Sequence, residues 1–557
     1  MFLVLIETSG NQNYIFSTNK LRENVGASEL TYQAGTKWVI GAVAAQNQEV
    51  LFKDWQHPEK IREMLRNDHL AIDAAGRVAE IIVAASGKAL VLTKTEAVAQ
   101  AIIATVTRKA LIEAPGLEVF GVYVQIENWL ADGSLANAIR QVHKEFEKSR
   151  SRRPASENRF LRLPIVASCA VSGLAAAKVE KIGSKQVAIS HASIAKRKRS
   201  DDAKGRLTNL DERLQGQIAQ LIDEDVADED QRSWLAIVHA DGNGLGQIFL
   251  NFEDYIGEDK SNRAYIQKYR AFSLALDECT EAAFKTALDV FPEKSDPQRE
   301  KVAPIVPLII GGDDLTVVCD GHYALEFTRV FLQEFEQKAE GKSEIATIAQ
   351  AAFGVGRLSA CAGVAIVKRH FPFSVAYDLA EELIKSAKDV KRKVTKQGDP
   401  KTPFPCSAID FHILYDTSGV DLSEIRRKLK PEPKTQLYNR PYVVSEDLSQ
   451  ADGQDWLALH QWQRLSDRVQ ALKNDQLPSS QSHALRTALF LGKEATDAQY
   501  RLIQQRYDLT PFTESEHSLF HHSQDIYSTS FLDALDAKDF LKNAQTDPSQ
   551  EQVEETA

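Results

Sequence analysis

One order of apolar and polar patterning occurs twice along the chain. An apolar strand pattern covers residues 2–6, followed by the polar turn Glu7-Thr8-Ser9-Gly10 and a helical segment from about Asn19 through Lys37-Trp38-Val39. Apolar runs at 78–85 and 89–92 flank Ser86-Gly87-Lys88 as the arms of a hairpin. Helical periodicity returns over 96–112, and a strand over 119–126 closes the unit. The second occurrence starts with a strand over 234–239 that ends at Asp241, followed by a long helix over 263–290. A hairpin over 305–319, a helix over 323–339, a strand over 360–367 and a helix over 374–394 complete it. From 446 to 540 the pattern is helical, with Trp456, Leu459, Trp462, Leu465, Val469 and Leu472 at helical spacing.

Both occurrences read β-α-β-β-α-β, the ferredoxin-like arrangement of polymerase palms and cyclases. The expected fold class is α+β: two ferredoxin-like palm domains and a C-terminal helical domain. The expected division is a degenerate first palm at 1–130 and a basic linker or irregular subdomain at 131–230. A second palm at 231–416, a helical domain at 417–544 and a disordered polar tail at 545–557 follow.

Composition narrows the class. A chain of 557 residues is too long for one core, and domain-size statistics suggest roughly three or four units. Apolar residues make up 43% and charged residues 26%, with no run long enough to span a membrane. The opening Met1-Phe2-Leu3-Val4-Leu5-Ile6 reads as a buried strand, not a signal peptide. The cysteines at 169, 279, 319, 361 and 406 form no C-x-x-C pair, which argues against a zinc ribbon or a disulfide framework. A reducing cytoplasm is the expected compartment. A formal net charge of −11 excludes a bulk polyanion binder. The basic runs Lys148-Ser149-Arg150-Ser151-Arg152-Arg153 and Lys196-Arg197-Lys198-Arg199 lack interleaved aromatics and read as surface loops, the alternative being a grip on RNA or DNA. His521-His522 near Asp525 reads as a solvated loop, since no matching ligand cluster accompanies it.

The chemistry concentrates at Gly311-Gly312-Asp313-Asp314, pinched between two apolar strands. Glycine permits positive φ and close approach to a ligand. Adjacent carboxylates at a hairpin tip repel each other unless a divalent cation relieves them. The first strand of a β-α-β-β unit lies beside the hairpin, so Asp241 should converge on Asp313 and Asp314. Three carboxylates suit one or two Mg²⁺ (or Mn²⁺) ions that share phosphate oxygens with a nucleotide. Gly242-Asn243-Gly244 follows Asp241 and can point backbone N–H groups at phosphates. Lys388 shares a helix face with Lys385 and Arg392, where it is either a triphosphate ligand or an ordinary surface lysine.

At these motifs the chain resembles the large palm-domain subunit of type III CRISPR effectors, the CRISPR polymerase family. The resemblance rests on Glu7-Thr8-Ser9-Gly10-Asn11-Gln12 with Phe16, Lys20-Leu21-Arg22, Gly26-Ala27-Ser28 and Asp241-Gly242-Asn243-Gly244-Leu245-Gly246. It also rests on Gly311 to Asp314, on Ala380-Glu381-Glu382-Leu383 leading to Lys388, and on Leu477-Pro478-Ser479-Ser480-Gln481. It implies two palms face to face, metal on Asp241, Asp313 and Asp314, Lys388 on the triphosphate and Ser273 near the nucleotide. It implies that nucleoside triphosphates, usually ATP, are joined with release of pyrophosphate into small cyclic oligonucleotides for antiviral defence. Implied partners are RNA or other CRISPR-type subunits as triggers and a downstream effector that responds to the product; no membrane is involved.

Departures from the family pattern are an opening on the palm strand in place of a histidine-aspartate nuclease domain, and missing zinc cysteines. Ala84-Ala85-Ser86-Gly87 is expected to stand in the first palm where the second has its glycine-aspartate motif, so the first palm should not catalyse. The picture is of a reduced or stand-alone member. Competing readings are a polymerase making longer products and a scaffold in a guide-RNA complex.

Overall fold

A computed structural model describes residues 1–67, 70–152, 164–182, 184–214, 234–291, 294–296, 299–415, 420–523 and 525–542. The expected tail at 545–557 lies outside them.

The first half is built from β1 (Phe2–Ser9), α1 (Leu21–Gly35), α2 (Lys37–Gln46), α3 (Pro58–Leu65), β2 (Ala79–Ala85), β3 (Lys88–Thr93), α4 (Glu96–Glu113) and β4 (Glu118–Gln125). Its sheet has the order β2-β3-β1-β4, the ferredoxin-like order. The single helix expected over 19–39 is two, because the chain breaks at Thr36, whose hydroxyl and N–H both return to the Tyr32 carbonyl. Gly35 is required there, since a methyl on it would overlap the Ala85 carbonyl of the hairpin tip.

Between the palms lie α5 (Ser134–Arg152), a hairpin of Ala176–Ile182 and Lys185–Ser190, and α6 (His191–Leu210). Where it is described, this stretch differs from the expected linker. α5 sets Leu135, Ile139, Val142 and Phe146 into the core beneath the first sheet. α6 lies across α1 so closely that a methyl on Gly26 would overlap the Lys196 carbonyl. Both basic runs read as surface loops are therefore helical where described: 148–152 end α5, with Arg153 outside the described residues, and 196–199 lie in α6, where they are largely tied down. Lys196 is buried, with its Nζ donating to Tyr14 O at 2.5 Å and Ser17 Oγ at 2.7 Å. Arg197 pairs with buried Glu23 at 2.7 Å, and Arg199 pairs with Glu113. A basic sequence is buried here because each charge that leaves water finds an oxygen partner.

The second half repeats the plan with β5 (Trp234–Gly242), α7 (Asn262–Ala287), β6 (Ile305–Gly311), β7 (Asp314–Asp320), α8 (Gly321–Glu340), β8 (Ala360–Lys368) and α9 (Phe373–Ala387). β9 (Ala408–Ile413) and β10 (Tyr442–Val443) extend the sheet to the order β6-β7-β5-β8-β9-β10, whose first four strands match the first sheet. The C-terminal part contains helices Trp462–Lys473, Ser479–Phe490, Lys493–Gln504 and Phe531–Ala537, with a small sheet of Thr435–Gln436, His521–Ser523 and Ile526–Ser528. No helix among the described residues is long and apolar enough to cross a membrane.

The two halves share hydrophobic cores. One cluster joins Val4, Ile6, Leu30 and Val91 of the first to Ile237, Val306, Leu308 and Leu383 of the second. Ser28 of α1 donates to the Leu308 carbonyl of β6 across this boundary.

The ladders also fix how the hairpin tips correspond. Gly311 pairs with Asp314 at one tip, and Ala85 pairs with Lys88 at the other. Ala85-Ser86-Gly87-Lys88 is thus the counterpart of Gly311-Gly312-Asp313-Asp314, one residue later than the sequence suggested, because Lys88 continues the β3 ladder opposite Glu7 of β1. In the second palm Leu315 pairs with Ala240, so the next rung sets Asp314 beside Asp241. Glu7, Gly87 and Lys88 therefore occupy the positions of Asp241, Asp313 and Asp314.

Candidate active site

β5 carries Asp241 as its penultimate residue, beside the β6–β7 turn, where Gly312 takes φ 61°, a left-handed conformation suited to glycine. One carboxylate oxygen each of Asp241, Asp313 and Asp314 lies within 4.8 Å of the others, the one such acidic or metal-ligating group among the described residues. Burial pushes both turn carboxyls above the usual aspartate range, and for Asp313 the neighbouring Asp314 charge adds to the rise. The site thus keeps two acids close together where neither is well solvated. A divalent cation would relieve both penalties, so the donor set fits Mg²⁺ or Mn²⁺.

Close approach explains the glycines. A Cβ on Gly242 would stand 2.8 Å from Asp313 Oδ2 and would overlap Leu245. A Cβ on Gly311 would stand 3.5 Å from Asp277 Oδ1 and 3.6 Å from Ser86 Cβ, so the two hairpin tips face each other. Gly244, at φ 75°, starts the short helix Leu245–Leu250. The donors of Asn243 are committed to the protein: its N–H to Ser359 O at 2.8 Å, and its Nδ2 to Ser359 Oγ at 3.0 Å and Cys406 O at 3.1 Å. Asn243 anchors the loop to the sheet.

Lys388 follows α9 directly, and its Nζ contacts the Asp241 carboxylate and lies 3.5 Å from the Gly242 carbonyl. Burial, then Lys391, pushes its ammonium down to about 8, while the Asp241 charge in direct contact favours the protonated form.

A cavity of about 400 Å³ opens at the turn. Gly311, Gly312, Asp313, Asp314, Gly246, Phe249 and Ser273 line it from the second palm, and Tyr32, Arg62, Ser86 and Lys88 from the first half. Asp241, Gly242 and Lys388 are not part of its wall. Ser273 Oγ is buried with no hydrogen-bond partner, an orphaned polar atom at a cavity wall. Gly10 instead borders a second cavity of about 510 Å³ with Asn13, Lys196 and Tyr377.

Residues without a sequence motif hold the turn. On α7, Asp277 Oδ1 accepts the Gly312 N–H at 3.2 Å, and Thr280 Oγ1 donates to the Gly312 carbonyl at 2.5 Å. Arg62 of α3 binds Asp277 at 2.6 Å and Glu281 at 2.8 Å. The positions 277, 280 and 281 share one helical face, a signal present in the sequence; Arg62 carries none. His521 and His522 lie on a short strand and join no such group among the described residues.

Residues 234–395 match the family described as Cas10/Cmr2, second palm domain. No curated protein sequence matches the chain. Among solved structures, the Csm1–Csm4 cassette in complex with cA4 is similar at 14% identity and TM-score 0.38, covering 92% of this chain and 65% of that one. The cassette in complex with AMPPNP is similar at 14% identity and TM-score 0.38, covering 85% and 63%. Csm1 in T.onnurineus is similar at 14% identity and TM-score 0.38, covering 72% and 55%. The chain therefore spans less than two thirds of the length of these proteins. Its acidic turn lies inside residues 234–395, the segment that is similar to the Cas10/Cmr2 second palm domain.

Proposed function

We propose that the chain is a metal-dependent nucleotidyltransferase that joins nucleoside triphosphates into a small oligonucleotide with release of pyrophosphate. The observation that carries this reading is the convergence of Asp241, Asp313 and Asp314 at the palm hairpin, inside the matched family segment. These carboxylates would hold Mg²⁺ or Mn²⁺, which when bound neutralises phosphate charge and acidifies an attacking hydroxyl. The chain's own residues do the rest. Gly311 and Gly312 let a ligand approach the turn backbone. Ser273, with its unsatisfied hydroxyl, hydrogen-bonds the nucleotide from the cavity wall. Lys388 moves from Asp241 to the triphosphate when the carboxylate engages metal. Adenosine as the base and cyclic closure of the product follow from the family resemblance, as do a role in antiviral defence and CRISPR-type partners.

A scaffold whose palm binds nucleotide only structurally has no need of three converging carboxylates. The test is incubation of the protein with each NTP and dNTP plus Mg²⁺ or Mn²⁺, with mass spectrometry of the products. A phosphodiester-linked product from wild type and none from D313A/D314A is the expected result. Full turnover by the folded double variant would sink the assignment.

A further inference from the structure

Lys88 occupies in the first palm the position that Asp314 occupies in the second, and Glu7 occupies that of Asp241. An acidic metal-type site in one palm therefore corresponds to a lysine–glutamate pair in the other. That pair is loose. Lys88 Nζ lies 3.4 Å from Glu7 Oε2, which accepts no hydrogen bond, and the lysine side chain is 38% exposed. The lysine end of the pair is open to water, while Glu7 Oε2 is itself buried and left without a hydrogen bond.

Three cations line the cavity between the palms: Arg62, Lys88 and Arg206. Arg62 is committed to Asp277 and Glu281, and Arg206 to buried Glu29 at 2.8 Å. The Lys88 ammonium makes no side-chain hydrogen bond among the described residues, so its donors remain available. It shares the cavity wall with Ser86, Asp313 and Asp314.

Joining two nucleoside triphosphates brings two polyanions into one cleft. The second palm has an acidic trio that can hold a cation for one of them; the first palm carries neither hairpin acid. We propose that Lys88 is the first palm's built-in cation and binds a phosphate of the second nucleotide across the cleft from Asp313 and Asp314. Glu7 holds the ammonium in place until the phosphate arrives. This inference rests on the nucleotidyltransferase reading of the same cleft and adds to it a binding role for the palm without carboxylates.

The experiment is equilibrium binding of a non-hydrolysable ATP analogue to the full chain with Mn²⁺, comparing wild type, K88Q, K88R and E7Q. Wild type should bind two analogues. K88Q should keep the metal-dependent one and weaken the other about tenfold or more, the scale of a lost charge-assisted contact. K88R should retain most of the second affinity. E7Q, which removes the carboxylate competing for Lys88, should leave the second affinity equal or tighter. A purely structural ion pair predicts instead that K88Q and E7Q act alike, and that result overturns the inference. So does K88Q with two sites of unchanged affinity, or wild type with one metal-dependent site alone. Wild type that binds no analogue and forms no product overturns the nucleotidyltransferase reading as well.

Discussion

At the residue scale, the contact between Lys388 and Asp241 sets a competition. Cation and metal cannot both saturate one carboxylate, so Lys388→Ala should tighten metal binding in the absence of nucleotide. The same substitution should weaken triphosphate binding, by about 1.5–3 kcal/mol if one charge-assisted contact is lost. Titration with Mn²⁺, with and without analogue, reads both effects; equal weakening of both would return Lys388 to a merely structural role. The turn acids give a second prediction. Asp313 and Asp314 titrate above the usual aspartate range, so the folded metal-free protein holds their protons more tightly than the unfolded chain does. Their ionised pair costs stability above those raised values, and the cost disappears as pH falls towards the ordinary carboxylate range. Metal removes the same cost. The rise in Tm on adding Mg²⁺ should therefore be larger at about pH 8 than at about pH 5.5, where protons compete for the ligands. A rise that is equal at both values, or larger in acid, contradicts this account.

At the scale of elements, the position of the acidic turn depends on a helix the turn does not belong to. α7 grips the Gly312 peptide at both ends through Asp277 and Thr280, and α3 holds Asp277 through Arg62. Thr280→Val removes one hydrogen bond and should cost about 0.5–1.5 kcal/mol of stability. Its effect on metal affinity and turnover should exceed that of Thr286→Val, which removes a hydroxyl from the same helix but only from a bond within it. Denaturant midpoints and Mn²⁺ titration of the two variants separate these roles. Arg62→Ala leaves Asp277 and Glu281 without their shared cation and should be more damaging, about 3 kcal/mol. The sequence made the strands and the acidic turn legible, because Ile309-Ile310-Gly311-Gly312-Asp313-Asp314 joins a buried run to a hairpin signal. It did not make α6 legible as a packed helix. A run of Lys, Arg and Ser has no apolar stripe, and its burial depends on Glu23, Glu29 and Glu113, which lie far away in the chain. Arg62 and Asp277 are 215 residues apart, so no local pattern could pair them.

At the scale of the whole molecule, the two palms are two faces of one cleft. Hairpin tip meets hairpin tip at Ser86 and Gly311, and both halves line the cavity. The boundary between them is not a surface that opens freely, because Val4, Ile6 and Leu30 share a core with Val306, Leu308 and Leu383. Separating the halves would expose this apolar area and leave the Ser28–Leu308 hydrogen bond unmade. A palm that acts alone must find a second copy to complete a two-nucleotide site, and its specific activity then rises with concentration. Here the second face is covalently tethered and already docked, so its effective concentration does not change on dilution. On the proposed nucleotidyltransferase reading, specific activity should stay constant as the protein is diluted, once surface losses are controlled with carrier protein. Gly26→Leu, which drives a side chain into the Lys196 carbonyl behind α1, should disturb the first face and reduce joining more than it reduces metal binding at the second palm. Total activity that rises with the square of enzyme concentration would instead assign the cleft to a pair of second palms in a dimer. In that case the first half would serve only to cover the apolar side of the second.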